Sequence, residues 1–372
     1  MTEPLRSLSD NITWWVPRVG TEEKDLVCRV LASHYLNEGR WTAELEDQLA
    51  ALLGCKYVVT TTSGTSALFL ILAALGIGAG DEVLVPDVTF IATANAVTLC
   101  GAKPVLVDVD PKTLTMDVAR AEESISPRTK AVIPVHVSGR GCDMTAISAM
   151  GKKYNVHVIE DAAEALTSKQ RGKTLGTWGI AGMVSFSPTK TITTGQGGAV
   201  LTDDEQLHQR LRALKDQGRP RRGTGGADRH DAVGFNFKLT NLQAAVGLGQ
   251  LKRLDERLAR MKRRHRVYQR HLGDTPGVDL FPFDLERDEI PQWTDALFDH
   301  RDELHAFLLS RQIDCRKFWY PLHRQRPYRR DDKDFPVSSR LSSRAMWLPS
   351  APHLKDQDIE YVCRTIKEFY AR

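Results

Sequence analysis

No two cysteines in this 372-residue chain stand in a C-x-x-C spacing. The six present (Cys28, Cys55, Cys100, Cys142, Cys315 and Cys363) are scattered, which argues against both a disulfide framework and a zinc site. No uncharged run reaches membrane-spanning length, and the first residues, Met1-Thr2-Glu3-Pro4, lack the basic head and apolar core of a secretion signal. A cytoplasmic protein with no membrane partner and no bound metal is therefore expected. An excess of one charge is also missing: 51 basic against 47 acidic residues leave a net charge of +4. That excess is too small and too spread out to suggest nucleic acid. Two basic runs, Arg219 to Arg222 and Lys262 to Arg266, read as solvated surface, the alternative being a site for an anion such as a sugar diphosphate. Familiar nucleotide loops are absent. Gly76-Ile77-Gly78-Ala79-Gly80 follows a helical run rather than a strand, and Gly172-Lys173-Thr174 lacks the upstream glycine of a P-loop.

What is present is a regular alternation of helical and extended patterns, the signature of an α/β fold with a parallel sheet covered by helices. Strands are predicted at 56–62, 82–86, 103–108, 130–137, 156–161, 183–186 and 199–202. Thr42 is positioned to cap a helix with Leu45, Leu49, Leu52 and Leu53 on one face, and Gly54 to stop it. Thr240-Asn241-Leu242-Gln243 has the spacing of a capping box, and a charged helical pattern runs on to about Leu272. After Gly273 aromatics, turns and short strands dominate. The expected division is a large domain over 1–250 and a small C-terminal domain over 251–372.

Four segments carry the chemistry. Thr62-Ser63-Gly64-Thr65-Ser66 joins a strand to a helix, so N–H groups and hydroxyls gather at a helix N-terminus, where the dipole favours a phosphate; the bland alternative is a capped turn. Val156 to Asp161 is an apolar strand ending in two carboxylates, followed by Ala162 and Ala163, and ligands of α/β folds sit at strand carboxyl ends. Ser185-Phe186-Ser187-Pro188-Thr189-Lys190 leaves another strand and leads into Gly195-Gln196-Gly197-Gly198. A deprotonated lysine attacks an aldehyde; otherwise Lys190 is a surface charge. Finally, Phe90 opens a helix after a strand, where it stacks on a flat ring or fills the core, and Gly234-Phe235-Asn236-Phe237 precedes the capped helix. In this order the segments suit pyridoxal 5'-phosphate (PLP), whose ring is an electron sink only while an acid such as Asp161 keeps its nitrogen protonated.

Together these segments resemble the nucleotide-sugar aminotransferases of PLP fold type I, from about Val19 to the C-terminus. The resemblance implies a large domain with a mostly parallel mixed sheet between helices and a small C-terminal α+β domain. It matches Ser63, Gly64 and Thr65 to the family's phosphate turn, Phe90 to its ring-stacking aromatic, and Asp161, Ala163 and Glu164 to its acid motif. Lys190 matches the Schiff-base lysine and Ser185 the phosphate-binding serine. Asn236 matches an asparagine given by a neighbouring subunit, which implies a homodimer with shared sites.

Within the family the chain looks most like the GDP-perosamine synthases, which aminate GDP-4-keto-6-deoxymannose with L-glutamate. Glu164, the stretches 190–195 and 230–236, and Tyr320-Pro321-Leu322-His323 carry that likeness. Ser187-Pro188-Thr189 and Val137-Ser138 depart from the subgroup's usual Phe-Gly-Asn and Leu-Tyr. Related dehydratases replace the lysine with histidine, whereas Lys190 is retained here. The resemblance therefore implies ping-pong transamination through pyridoxamine phosphate, with Tyr320, His323, Arg219 and Arg221 expected near the nucleotide sugar. A keto cyclitol is the alternative substrate, and a silent PLP-binding regulator the alternative of another class; retention of Lys190 and Asp161 speaks against the latter.

Overall fold

The computed structural model describes residues 11–220 and 228–372. The chain lays down β1 (Tyr57–Thr61), β2 (Glu82–Pro86), β3 (Lys103–Val107), β4 (Thr129–Val132) and β5 (His157–Asp161), then a short hairpin of β6 (Lys169–Gln170) and β7 (Lys173–Thr174), then β8 (Ala181–Ser185) and β9 (Gly198–Thr202). Seven of these form one sheet in the order β1-β9-β8-β5-β4-β2-β3. Only β9 runs against its neighbours; the β8, β5, β4, β2 and β3 pairings are all parallel. A mostly parallel mixed sheet is thus observed.

The alternation of side chains along each strand sorts the core into two layers. Val58, Leu84, Val158, Val184 and Leu201 face helices Arg40–Leu53, Met144–Tyr154 and Asn241–Leu251. Their neighbours Val59, Val83, Ile159, Met183 and Val200 face helices Gly64–Ala74, Ala92–Leu99 and Glu205–Lys215. Because both faces are covered, the strands read as continuous apolar runs, which is why most were legible.

Three local expectations are corrected. The helix at Thr42 begins at Arg40, with Gly39 at its cap; Thr42 lies in the first turn and its hydroxyl donates to Asn241 Oδ1 at 3.1 Å. The strand expected over 130–137 stops at Val132, because Pro134 has no N–H and the chain then turns through Val137–Gly139, with Ser138 at φ 54°. The run after Thr240 is two helices, Asn241–Leu251 and Leu254–Leu272; Arg253, at φ −116° and ψ 17°, breaks the ladder between them. Gly54 does end its helix, at φ 71°, and Thr240 caps as expected, accepting from Gln243 N–H.

The remaining strands, β10 (Val278–Leu280), β11 (Asp295–Phe298), β12 (Arg316–Lys317) and β13 (Ala345–Trp347), make an antiparallel sheet in the order β10-β11-β13-β12. Helices Leu254–Leu272, Arg301–Ser310 and Asp356–Tyr370 cover it through Tyr268, Leu304, Val362 and Ile366. Ile12 joins this core and bridges to Ile313. A fourth cluster, rich in tryptophan, contains Trp14, Trp15, Trp293 and Trp347 together with Val88 and Val135, so the small sheet lies against the carboxyl ends of the large one.

Candidate active site

A cavity of about 280 Å³ opens where those two sheets meet. At one end stands the turn after β1. Ser63 Oγ accepts the Ser66 N–H at 3.0 Å and Ser66 Oγ accepts the Ser63 N–H at 2.9 Å, a reciprocal cap at the helix N-terminus. A Cβ on Gly198 would lie 2.6 Å from the Gly64 nitrogen, so β9 passes directly beneath the turn and position 198 has no room for a side chain. A Cβ on Gly64 would fall 3.1 Å from Ser185 Cβ, which places Ser185 beside the turn.

At the end of β5, two adjacent carboxylates point to opposite faces. Glu160 is spent on structure: it accepts the N–H groups of Gly176, Trp178 and Gly179 at 2.7, 2.5 and 3.0 Å. Asp161 faces the cavity, with Oδ2 accepting from Thr93 Oγ1 at 2.8 Å and Oδ1 from Ala163 N–H at 3.2 Å. Burial holds its carboxyl above the usual aspartate range despite those two bonds.

Lys190 follows β8 with its ammonium in the same cavity, donating to Glu164 Oε1 at 3.1 Å and lying 4.9 Å from the ring centroid of Trp293. Glu164 is itself fixed, its other oxygen accepting Ser138 N–H at 2.9 Å, and burial raises its pKa too. Gln292 brackets the lysine. Its amide oxygen accepts Thr191 N–H at 3.3 Å and Thr191 Oγ1–H at 2.8 Å, while its amide nitrogen donates to Thr189 C=O at 3.1 Å. Behind Ser138, a buried chain runs from its hydroxyl to Asp295 Oδ2 at 2.7 Å, and Asp295 pairs bidentately with Arg140 at 2.6 and 2.8 Å.

The cavity lining therefore brings together Ser63, Gly64, Thr65, Phe90, Asp161, Ala163, Glu164, Ser185 and Lys190. It does not include the other sequence-predicted residues. Asn236 is exposed, bridging by its backbone to Asp216. Tyr320 is exposed as well. His323 is fully buried, with Nδ1 2.6 Å from Asp87, Nε2 3.0 Å from Asp332 and its ring stacked on Phe335. Arg219 pairs with Asp216 and Asp228, and Arg221 lies outside the described residues. Residues of the wall or its support that went unread in the sequence include Thr93, Gln292, Trp293, Arg316 and Trp347. Thr93 sits one turn beyond Phe90 and was open to notice; the others come from the small sheet or the bend that leads into it, a hundred residues or more after Lys190, with no local motif.

The DegT/DnrJ/EryC1/StrS aminotransferase family matches residues 17–367. The chain belongs to that family. Its members are PLP-dependent sugar aminotransferases, and that is this chain's enzyme class. It is 36% identical over 360 residues to the GDP-perosamine synthase of Escherichia coli O157:H7, covering 95% of this chain and 97% of that one. With the GDP-perosamine synthase of Caulobacter vibrioides it shares 38% over 361 residues, covering 95% and 96%. Among solved structures, S. venezuelae DesV in complex with a ketimine intermediate superposes with a TM-score of 0.90 at 32% identity, covering 94% of this chain and 95% of that one.

Proposed function

We propose that this aminotransferase holds PLP in the cavity between the two sheets and moves an amino group from L-glutamate to GDP-4-keto-6-deoxymannose, giving GDP-perosamine. The observation that carries the cofactor reading is the meeting of Lys190, Asp161 and the helix terminus at Ser63 to Thr65 in one cavity. The donor set fits the group. Gly64, Thr65 and Ser185 offer N–H and hydroxyl donors to a phosphate, Phe90 a ring to stack upon, and Asp161 a buried carboxyl group facing the cavity as partner for a pyridinium N–H. When bound, PLP supplies an aldehyde for the lysine and a ring that takes up the electrons of a carbanion.

The chain's own residues do the rest. Lys190 tethers the cofactor and, once displaced, carries the proton to and from the substrate α-carbon. Glu164 orients the ammonium, and Thr93 orients Asp161. In this reading residues 1–250 form the cofactor-binding domain and 251–372 a small domain that closes the cavity. The protein is a homodimer in which Asn236 reaches the partner's phosphate; its exposure, and that of neighbouring Val233, supports such a face. His323 braces the segment around Tyr320 from within rather than touching the sugar, its backbone N–H donating to Asp87 Oδ1 at 2.7 Å.

The GDP-perosamine assignment rests on the two synthases above. It is tested by incubating the enzyme with glutamate and separate GDP-, UDP- and dTDP-linked 4-keto-6-deoxyhexoses, with a keto cyclitol alongside, and reading products by mass spectrometry. Amination of the GDP-mannose-derived sugar alone is the expected result. Equal amination of the cyclitol overturns the nucleotide-sugar reading.

A further inference from the structure

Phe90 is 53% exposed, so no core holds its ring in place; the backbone of the turn that carries it must do so. At the far end of that turn Thr93 N–H donates to Phe90 C=O at 3.2 Å. At the near end stands Asp87, fully buried, the first residue after β2. Its carboxylate accepts the His323 backbone N–H at 2.7 Å, lies 2.6 Å from His323 Nδ1 and accepts the Ser338 hydroxyl, while its C=O accepts Leu322 N–H at 3.0 Å. Asp108 stands in the same place after β3, beside Asp87 because Pro86 pairs with Val107, and accepts the N–H groups of Val337 and Ser338 at 2.9 Å each. All of these donors come from one stretch, 322–338, which lies between β12 and β13. The His323 ring is itself fixed, stacked on Phe335 with Nε2 3.0 Å from Asp332. Two buried acids at the ends of neighbouring strands thus clasp the small domain's connection to the large sheet.

We infer that Asp87 is a positioning residue for the cofactor ring, acting through Phe90. A buried carboxylate is costly unless donors meet it, and Asp87 is met on both oxygens by groups that do not move independently of the small sheet. It is absent from the cavity lining, whereas Thr89 and Phe90 are part of it, so Asp87 touches no reacting atom and its effect passes along the chain. Three residues of chain span at most about 10 Å, so a slackened clasp displaces Phe90 with little to absorb the shift. Trp319, four residues before His323, lines the same cavity, so the one clasp ties a ring on the large-domain side to a ring on the small-domain side. The inference rests on the reading of the cavity as a PLP site in which Phe90 stacks on the cofactor.

The test compares wild type with Asp87→Asn, Ser338→Ala, Phe90→Ala and the double variant Asp87→Asn/Phe90→Ala, each first confirmed as folded by its urea midpoint. Ser338→Ala removes one bond to Asp87 and leaves the buried acid in place, so it carries the test if Asp87→Asn does not fold. The first readout needs no cofactor: 4-fluorophenylalanine placed at position 90 alone should give a fluorine resonance that shifts or broadens in Asp87→Asn, and by less in Ser338→Ala. The second is the PLP dissociation constant, followed by tryptophan fluorescence. A ring stack is worth about 3- to 10-fold in affinity, the loss expected of Phe90→Ala. Asp87→Asn should lose most of that, Ser338→Ala less, and the double variant should bind no more weakly than Phe90→Ala alone. Losses that add in the double variant, as a general loosening of the fold would give, overturn the inference, as does an unmoved fluorine resonance. A wild type that binds no PLP overturns the cofactor reading instead, and the fluorine resonance then decides by itself whether Asp87 sets Phe90.

Discussion

Glu164 links Lys190 to Ser138, one carboxylate oxygen 3.1 Å from the lysine ammonium and the other 2.9 Å from the Ser138 amide. The carboxylate thus fixes the lysine against a turn whose own conformation, at φ 54°, is held from the small sheet. Glu164→Gln keeps an acceptor in place and should lower kcat less than tenfold. Glu164→Ala removes the partner and leaves the Ser138 N–H without an acceptor, and should cost about 10- to 100-fold. Equal turnover in both variants, measured with saturating donor, would show that Glu164 does not position the lysine.

Asp161 is expected to trade stability for chemistry. Burial raises its carboxyl pKa in the cofactor-free fold, so between the unfolded and folded values the native chain binds more protons than the unfolded one. Its contribution to stability therefore falls as pH rises through that window. Asp161→Asn should raise the Tm of cofactor-free protein at pH 7, a gain that shrinks toward the ordinary aspartate pKa near about 4. Turnover should drop by about 10²–10³-fold, because an amide cannot hold a pyridinium proton by charge. A variant with unaltered Tm across that range and ordinary turnover would remove Asp161 from the site.

Gln292, in the bend that leads into β11, holds both flanks of Lys190. Gln292→Leu preserves volume but strands the Thr191 N–H and Thr189 C=O, and should destabilise the protein by about 1–3 kcal/mol. Its kcat should fall about tenfold with the donor KM little changed, since the lysine is displaced and the binding groups are not. Gln292→Glu retains the acceptor and should recover part of the loss. Steady-state kinetics showing a KM effect alone would contradict this.

Asp295→Ala leaves the Arg140 guanidinium buried beneath Phe281 and Phe283 without its anion. Loss of one partner of such a pair costs about 3–5 kcal/mol. Urea denaturation of the variant checks it; a change under about 1 kcal/mol would mean that water or a neighbouring acid replaces the carboxylate.

The sequence pointed to the large-sheet side of the cavity, where the cofactor is proposed to sit, because its parts are local. A glycine turn after β1, an acid at the end of β5 and a lysine after β8 each leave a short motif at a strand terminus. The opposing wall left none. Trp293, just before β11, and Arg316 and Trp347, on β12 and β13, reach the cavity from the small sheet, and a lone tryptophan or arginine looks the same in a core, on a surface or in a site. His323 shows the converse: a motif likeness placed it at the substrate, while the fold buries it between Asp87 and Phe335. The break at Arg253 was illegible for another reason, since no glycine or proline marks it.

The most direct test of the account is the identity of the lysine that holds the cofactor. The PLP-loaded enzyme is reduced with borohydride and digested, and the peptide carrying the added pyridoxyl mass is sequenced. The label should fall on Lys190, and Lys190→Ala should fold yet lose transamination by at least the roughly 10²–10⁴-fold that a positioned acid–base group supplies. A label on any other lysine, or ordinary turnover in Lys190→Ala, would contradict the account.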